Sequence, residues 1–245
     1  MPDKSYKADV NCDLGEGNGQ DDQIMPFLGS CNIACGGHAG NVHSMRHTLE
    51  LTAQYNVRAG AHPSYPDREH FGRVQMDIEE EELWKSMVHQ IHTLLEIADA
   101  AQVKIHHIKP HGALYNKAAS HQATAQLMVR LVQAFKRDLI LYAPYGSLLE
   151  QMGKAAGLEV WSEAFLDRNY RADLSLVPRA EPGAIISDTE IIRSRFREMF
   201  LHNRVKSQEG QFLEIRAGTY CLHGDNPEAP AIAREVQEEI KKLNV

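Results

Sequence analysis

The sequence predicts an α/β fold on a parallel sheet, in a single domain spanning residues 1–245. Two observations carry this expectation. Seven short apolar runs alternate with longer segments of helical period, and each crossover is long enough to return the chain parallel to the preceding strand. The 245 residues are 43% hydrophobic and 24% charged, enough to bury one full core. No internal repeat, low-complexity tract or linker breaks the rhythm. A closed barrel and an open doubly wound sheet both fit. The first strand lacks a following GxGxxG and the chain lacks a Walker-type phosphate loop, which weighs against a nucleotide fold.

In chain order, the strand candidates are "KADVNCD" (7–13), "SCNIACG" (30–36), "NVRAGAH" (56–62), "KIHHIKP" (104–110), "DLILYAP" (138–144), "LEVWSEAF" (158–165) and "FLEIRAGTYCLHGD" (212–225). Helices are expected over 43–55, 79–102, 118–136, 146–156, 188–203 and 227–243. In the second of these, Leu83, Met87, Ile91, Leu94, Leu95 and Ala98 recur at three- and four-residue steps on one face. The Pro- and Gly-rich piece "VPRAEPGAIISD" (177–188) reads as an excursion between the sixth and seventh strands.

A formal net charge of −7 leaves no positive excess for phosphate backbones or anionic membrane surfaces, so neither nucleic acid nor membrane is an expected partner. The first residues carry no apolar signal region. No later stretch approaches the roughly 18 apolar residues a membrane span needs, so a cytoplasmic location is expected. Cys12, Cys31, Cys35 and Cys221 form no CxxC pair and suit reduced thiols better than a disulfide framework or a zinc set.

In parallel α/β folds the ligand site lies at the carboxyl ends of the strands, where loops vary without disturbing the core. Here six of seven strand ends carry ionisable or imidazole groups. The first gives Asn11, Asp13 and Glu16; the second His38; the third His62 and Asp67. The fourth gives Lys109, His111 and Asn116, the sixth Glu163, Asp167, Arg168 and Tyr170, and the seventh His223 and Asp225. The fifth, ending "APYGS", is chemically quiet. Any one of these has a bland reading, as a helix cap, a turn or a hydrogen-bonded core histidine. Together on one edge they predict an active site.

Weaker signals resolve the other way. His43 and His47 stand at i and i+4 but lack the glutamate a zinc-protease helix requires, so a solvated face is expected. Lys136 and Arg137 suit a basic helix terminus. Asp67 and Arg68 suit a surface turn. The glycines of "LGEGNGQ" and "ACGGHAGN" fit either a close approach to a ligand or ordinary tight turns.

Taken together, "VNCDLGEG", "NIACGGHAG", "GAHPSYPDREHFGR", "HIKPHGALYN", "LDRNY", "LVPR" and "CLHGD" resemble the LamB/YcsF family, from about residue 8 to about 240. The resemblance implies an irregular seven-stranded parallel (β/α) barrel of the glycoside hydrolase/deacetylase type. It also implies opening of the lactam of 5-oxo-L-proline to L-glutamate, with ATP as co-substrate together with Mg, in a complex with 5-oxoprolinase subunits B and C. Departures from the family's usual residues, at Gly37, Leu166 and Cys31, fall beside the motifs and bear on substrate fit.

On that reading the expected catalytic groups are Asp13, His38, His62, Lys109, His111, Asp167 and Arg168. Asp13 or an imidazole would activate water, and Lys109 and Arg168 would neutralise phosphate or carboxylate. Asn11, Glu16, Arg73, Asn116, Glu163, Tyr170, His223 and Asp225 are expected to bind substrate, with His223 and Asp225 as an orienting pair. Two alternatives stay open: a metal-dependent amide hydrolase or deacetylase without ATP, its ion on Asp13, His38 and His62, and a non-catalytic chain that only binds substrate.

Overall fold

The computed structural model describes residues 8–243. Its strands in chain order are β1 (Asp9–Leu14), β2 (Ser30–Ala34), β3 (Arg58–His62), β4 (Ile105–Ile108), β5 (Ile140–Pro144), β6 (Val160–Phe165), β7 (Arg204–Lys206), β8 (Phe212–Glu214) and β9 (Thr219–His223). The first six and β9 run parallel and close into a seven-stranded barrel. The last strand closes the ring by pairing with both β6 and β1, setting Thr219 opposite Glu163 and Asp9, and His223 opposite Asp13. Closure removes the edges that an open sheet would expose.

Outside the barrel run α1 (Asp21–Ile24), α2 (Val42–Tyr55), α3 (Glu80–Ala100), α4 (Gly112–Ser120), α5 (Gln122–Ala134), α6 (Leu148–Ala155), α7 (Thr189–His202) and α8 (Ala229–Leu243). Local chemistry sets several boundaries. Asn41 and Ser44 form a capping box at the start of α2, and the Asp188 carboxylate accepts from the Glu190 and Ile191 amides to start α7. Asn56 and Asn203 end α2 and α7 in the left-handed region. The predicted face of α3 is buried, with Met87, Ile91 and Leu94 fully enclosed. None of the helices among the described residues is long and apolar enough to cross a membrane.

Two expectations need correction. The run 212–225 is not one strand: β8 pairs antiparallel with β7 in a separate ribbon, and only Thr219–His223 joins the barrel. The helix expected over 118–136 breaks at His121, which caps α5 through its side chain, and α4 begins earlier, at Gly112.

The barrel lumen is polar, because strand side chains alternate in and out. Along β1, Val10, Cys12 and Leu14 face the helices while Asp9, Asn11 and Asp13 face inward. Asn11 donates to Glu163 of β6 at 2.9 Å and Asp9 meets the Tyr142 hydroxyl of β5 at 3.5 Å, contacts between non-neighbouring strands that only the lumen allows. Below the mouth, His107 lies fully buried, stacked on Tyr142 with ring centroids 3.9 Å apart and bonded to the Asn32 side-chain oxygen at 2.8 Å. Gly60 makes room for it, since a Cβ there would overlap the imidazole. Burial holds His107 well below the ordinary histidine range, so the ring is neutral.

Candidate active site

At the mouth, β1 and β4 deliver the central charge pair. Lys109, 2% exposed, places Nζ 3.1 Å from Asp13 Oδ1, 2.9 Å from Glu163 Oε1 and 3.3 Å from Asn11 Oδ1. Burial opposes a charged ammonium, but the Asp13 and Glu163 carboxylates outweigh it and hold Lys109 above the usual lysine range. Burial likewise works against the Asp13 carboxylate, yet His62 and Lys109 hold it well below the ordinary range. Asn32 donates to Asp13 Oδ1 at 2.8 Å, and Tyr115 donates to Glu163 Oε2 at 2.8 Å. Cys221 Sγ lies 3.1 Å from the ammonium, with burial pushing its thiol up so that it stays protonated.

Beside this pair stand three imidazoles. His62 Nε2 is 3.3 Å from Asp13 Oδ2 and 2.9 Å from His111 Nδ1. His111 stacks on His38 with centroids 3.6 Å apart and planes 2° from parallel, and His38 Nε2 meets Glu16 Oε1 at 3.0 Å. Burial drives His38 down to about 2 and His111 well below the histidine range, while burial and Asp13 push Glu16 up to about 7. Phe71 anchors the group: its carbonyl accepts from His111 Nε2 at 3.0 Å from a left-handed backbone, φ 56°, an outlier for an aromatic residue.

On the opposite rim, Asp167 accepts from His223 through both the backbone amide and Nδ1, each at 2.9 Å. The orienting partner of His223 is therefore Asp167, not Asp225 as the sequence suggested. Asp225 instead bridges Arg73 and Arg179, the latter at 3.1 Å, and two guanidiniums on one carboxylate leave a net positive charge there. Both guanidiniums offset the cost of burial and keep Asp225 below the ordinary range.

These groups surround a cavity of ≈ 620 Å³. Of the residues singled out from sequence, Asp13, His62, Arg73, Lys109, His111, Asn116, Glu163, Arg168, Tyr170 and His223 line it. The remaining sequence candidates act differently. Asn11, fully buried, commits its side chain to Glu163, Thr219, Asn32 and Lys109 below the floor, so it supports the charge pair and does not face a ligand. Glu16 and His38 sit behind His62 and His111, and Asp167 and Asp225 stand behind the cations and imidazole they orient.

Two lining residues are committed to the fold. Arg168 donates to the Val177 carbonyl at 2.7 Å and clasps the 177–188 excursion, and burial lowers its guanidinium to about 10. Tyr170 accepts from the Phe165 amide at 2.7 Å. Arg68 donates to the Gly36 and Gly40 carbonyls at 3.0 Å, and Asp67 caps a turn with His70. The glycine-rich turn "ACGGHAGN" is thus pinned by a side chain. At Gly37 a Cβ would strike Ser64 and Gln90, so a larger residue there needs both to move. His43 and His47 are exposed, and Arg137 pairs with Asp99.

The sequence candidates omitted Tyr115, Phe165 and Arg179. Tyr115 and Arg179 lie inside "HIKPHGALYN" and "LVPR", and their segments were the available signal. The fifth strand end, quiet in sequence, contributes Pro144, Tyr145, Gly146 and Ser147 to the wall.

Known proteins resemble this chain over nearly its whole length. It is 42% identical over 244 residues to a protein of Tolumonas auensis named as the A subunit of 5-oxoprolinase, covering 98% of this chain and 97% of that one. A protein of the same name from Shouchella clausii is 42% identical over 242 residues, covering 97% and 96%. Among solved structures, a lactam utilization protein from Thermus thermophilus superposes with a TM-score of 0.90 at 37% identity, covering 98% of each chain. The LamB/YcsF family profile matches residues 8–245, and with these relatives it establishes that the chain belongs to the LamB/YcsF family.

Proposed function

We propose that this chain hydrolyses the lactam of 5-oxo-L-proline to L-glutamate with cleavage of ATP, as one component of a cytoplasmic enzyme completed by 5-oxoprolinase subunits B and C. The relatives' name, which places them in 5-oxoprolinase, and the Thermus protein's name support a lactam as substrate. The observation that carries the chemistry is one cavity lined by a buried ammonium, two rim guanidiniums and an aspartate-oriented imidazole.

A lactam is a resonance-stabilised amide and a poor electrophile. Transfer of the ATP γ-phosphoryl group to its carbonyl oxygen releases ADP and makes the carbon open to attack; Mg entering with the nucleotide would screen the phosphate charge. Water then adds, the ring C–N bond breaks with a proton delivered to nitrogen, and a second water releases phosphate from the γ-carboxyl group. Lys109 stabilises negative charge developing on the carbonyl oxygen. Arg73 and Arg179 hold phosphate or the substrate carboxylate. His223, with Nδ1 held by Asp167, carries the proton between water and the ring nitrogen through Nε2.

The test is ATP-dependent glutamate formation from 5-oxoproline, by this chain alone and with its partner proteins added. Turnover in the complete mixture is expected, and its loss in Asp13→Ala, Lys109→Ala and His111→Ala variants that still fold. Near-normal turnover in all three would defeat the assignment.

A further inference from the structure

In the imidazole cluster, acceptors outnumber donors. His62 Nδ1 lies 2.7 Å from the Lys109 carbonyl and His111 Nε2 lies 3.0 Å from the Phe71 carbonyl. A carbonyl only accepts, so each ring carries its proton on that nitrogen. The opposite nitrogens, His62 Nε2 and His111 Nδ1, are then bare in the neutral rings, yet they face each other at 2.9 Å. Glu16 Oε1 is 3.6 Å from His111 Nδ1 and 3.0 Å from His38 Nε2. Lone pairs converging in a buried place repel unless a cation lies among them.

We propose that Glu16, His38, His62 and His111 bind one divalent metal ion of the zinc class. One ligand atom from each can be chosen so that all four lie within 4.8 Å of one another. Around a tetrahedral zinc with bonds of about 2.0–2.1 Å, neighbouring ligand atoms stand about 3.3 Å apart. The separations of 2.9, 3.0 and 3.6 Å bracket that value. Three imidazoles and one carboxylate are the donor set that zinc, cobalt and nickel favour over magnesium or calcium. Asp13, an expected ligand from sequence, groups instead with Cys221 and His223.

The surroundings hold the ligands in place. The Lys109 and Phe71 carbonyls fix two tautomers, as outer partners of metal-bound histidines do. A Cβ on Gly72 would come within 2.9 Å of His38 Cβ and 3.0 Å of His111 Cδ2, so the backbone wraps closely around both rings. A single shared proton is the competing occupant of the gap. On His62 Nε2 it reaches His111 Nδ1 at 2.9 Å and Asp13 Oδ2 at 3.3 Å, but neither Glu16 nor His38. The Lys109 ammonium is already committed to Asp13 and Glu163, leaving the Glu16 carboxylate without a fixed cation.

Metal binding here does not depend on the lactam reading, and its test needs no substrate. The full chain, stripped with chelator and shown by circular dichroism to be folded, is titrated calorimetrically with Zn²⁺ and with Co²⁺, and bound metal is counted by elemental analysis. One ion per chain is expected, with the intense visible bands of four-coordinate Co²⁺. Glu16→Gln, nearly isosteric, and His38→Ala should each weaken binding by more than the roughly 10–100-fold that loss of an outer partner costs. A His43→Ala/His47→Ala variant should bind as the parent does. Absence of saturable binding to the folded chain, undiminished affinity in Glu16→Gln and His38→Ala, or loss of binding in the His43/His47 variant would each overturn the assignment.

Discussion

Replacing Lys109 with Met removes a buried ammonium while keeping most of the side-chain volume. Asp13 Oδ1 and Glu163 Oε1, at 3.1 and 2.9 Å, then face each other's charge with no cation between. Each contact is worth about 5 kcal/mol of gross Coulomb attraction at an effective dielectric of about 20, much of it offset by desolvation of the ammonium. Stranding buried charge by removing one partner typically costs about 3–5 kcal/mol, against a total stability of about 5–15 kcal/mol for a domain. The loss also depends on pH. In the parent, the depressed Asp13 pKa contributes stability that is present above the unfolded value and lost as pH falls through the folded one. In the variant, the stranded carboxylates bind protons more readily folded than unfolded, so acidification relieves them. Urea unfolding should therefore show Lys109→Met about 3–5 kcal/mol less stable than the parent at pH 7.5, with the gap about 1–2 kcal/mol smaller at pH 5.5. A gap below about 1 kcal/mol at pH 7.5, or one identical at both pH values, would refute the reasoning.

Three further outcomes follow from the lumen and rim. His223→Ala should reduce kcat of the assembled enzyme about 10²–10⁴-fold at a temperature where the variant is still folded, and comparable turnover would remove it from proton transfer. His107 is held neutral, so its contribution to stability is present above the unfolded value of about 6.5 and lost as pH falls below it, about 2 kcal/mol by pH 5. His107→Gln, able to keep the bond to Asn32, should flatten the stability–pH curve over that range, and an unchanged slope would count against a neutral buried ring. Gly60→Ala drives a methyl into that imidazole and should cost about 1–3 kcal/mol in chemical denaturation, whereas a neutral result would mean the lumen can yield there.

The sequence by itself determined the alternation of strands and helices, the buried face of α3, and the edge on which ionisable residues gather. Each of these is a local property: a period of two or 3.6, a capping residue, or a polar tip after an apolar run. The same locality explains its failures. Nothing within "FLEIRAGTYCLHGD" tells that its first three residues pair with Arg204–Lys206 while Thr219–His223 closes the barrel, because pairing depends on what lies beside the strand. Tertiary structure alone decided that His223 takes Asp167 and not the nearer Asp225, and that Asn11 ends below the cavity floor while Tyr115 lines it. It also decided that Glu16 and His38 meet His62 and His111. Hydrogen bonds and charge pairs act over about 3 Å, and residues as distant in sequence as Asn11 and Glu163 come within that reach only when the seventh strand closes the ring.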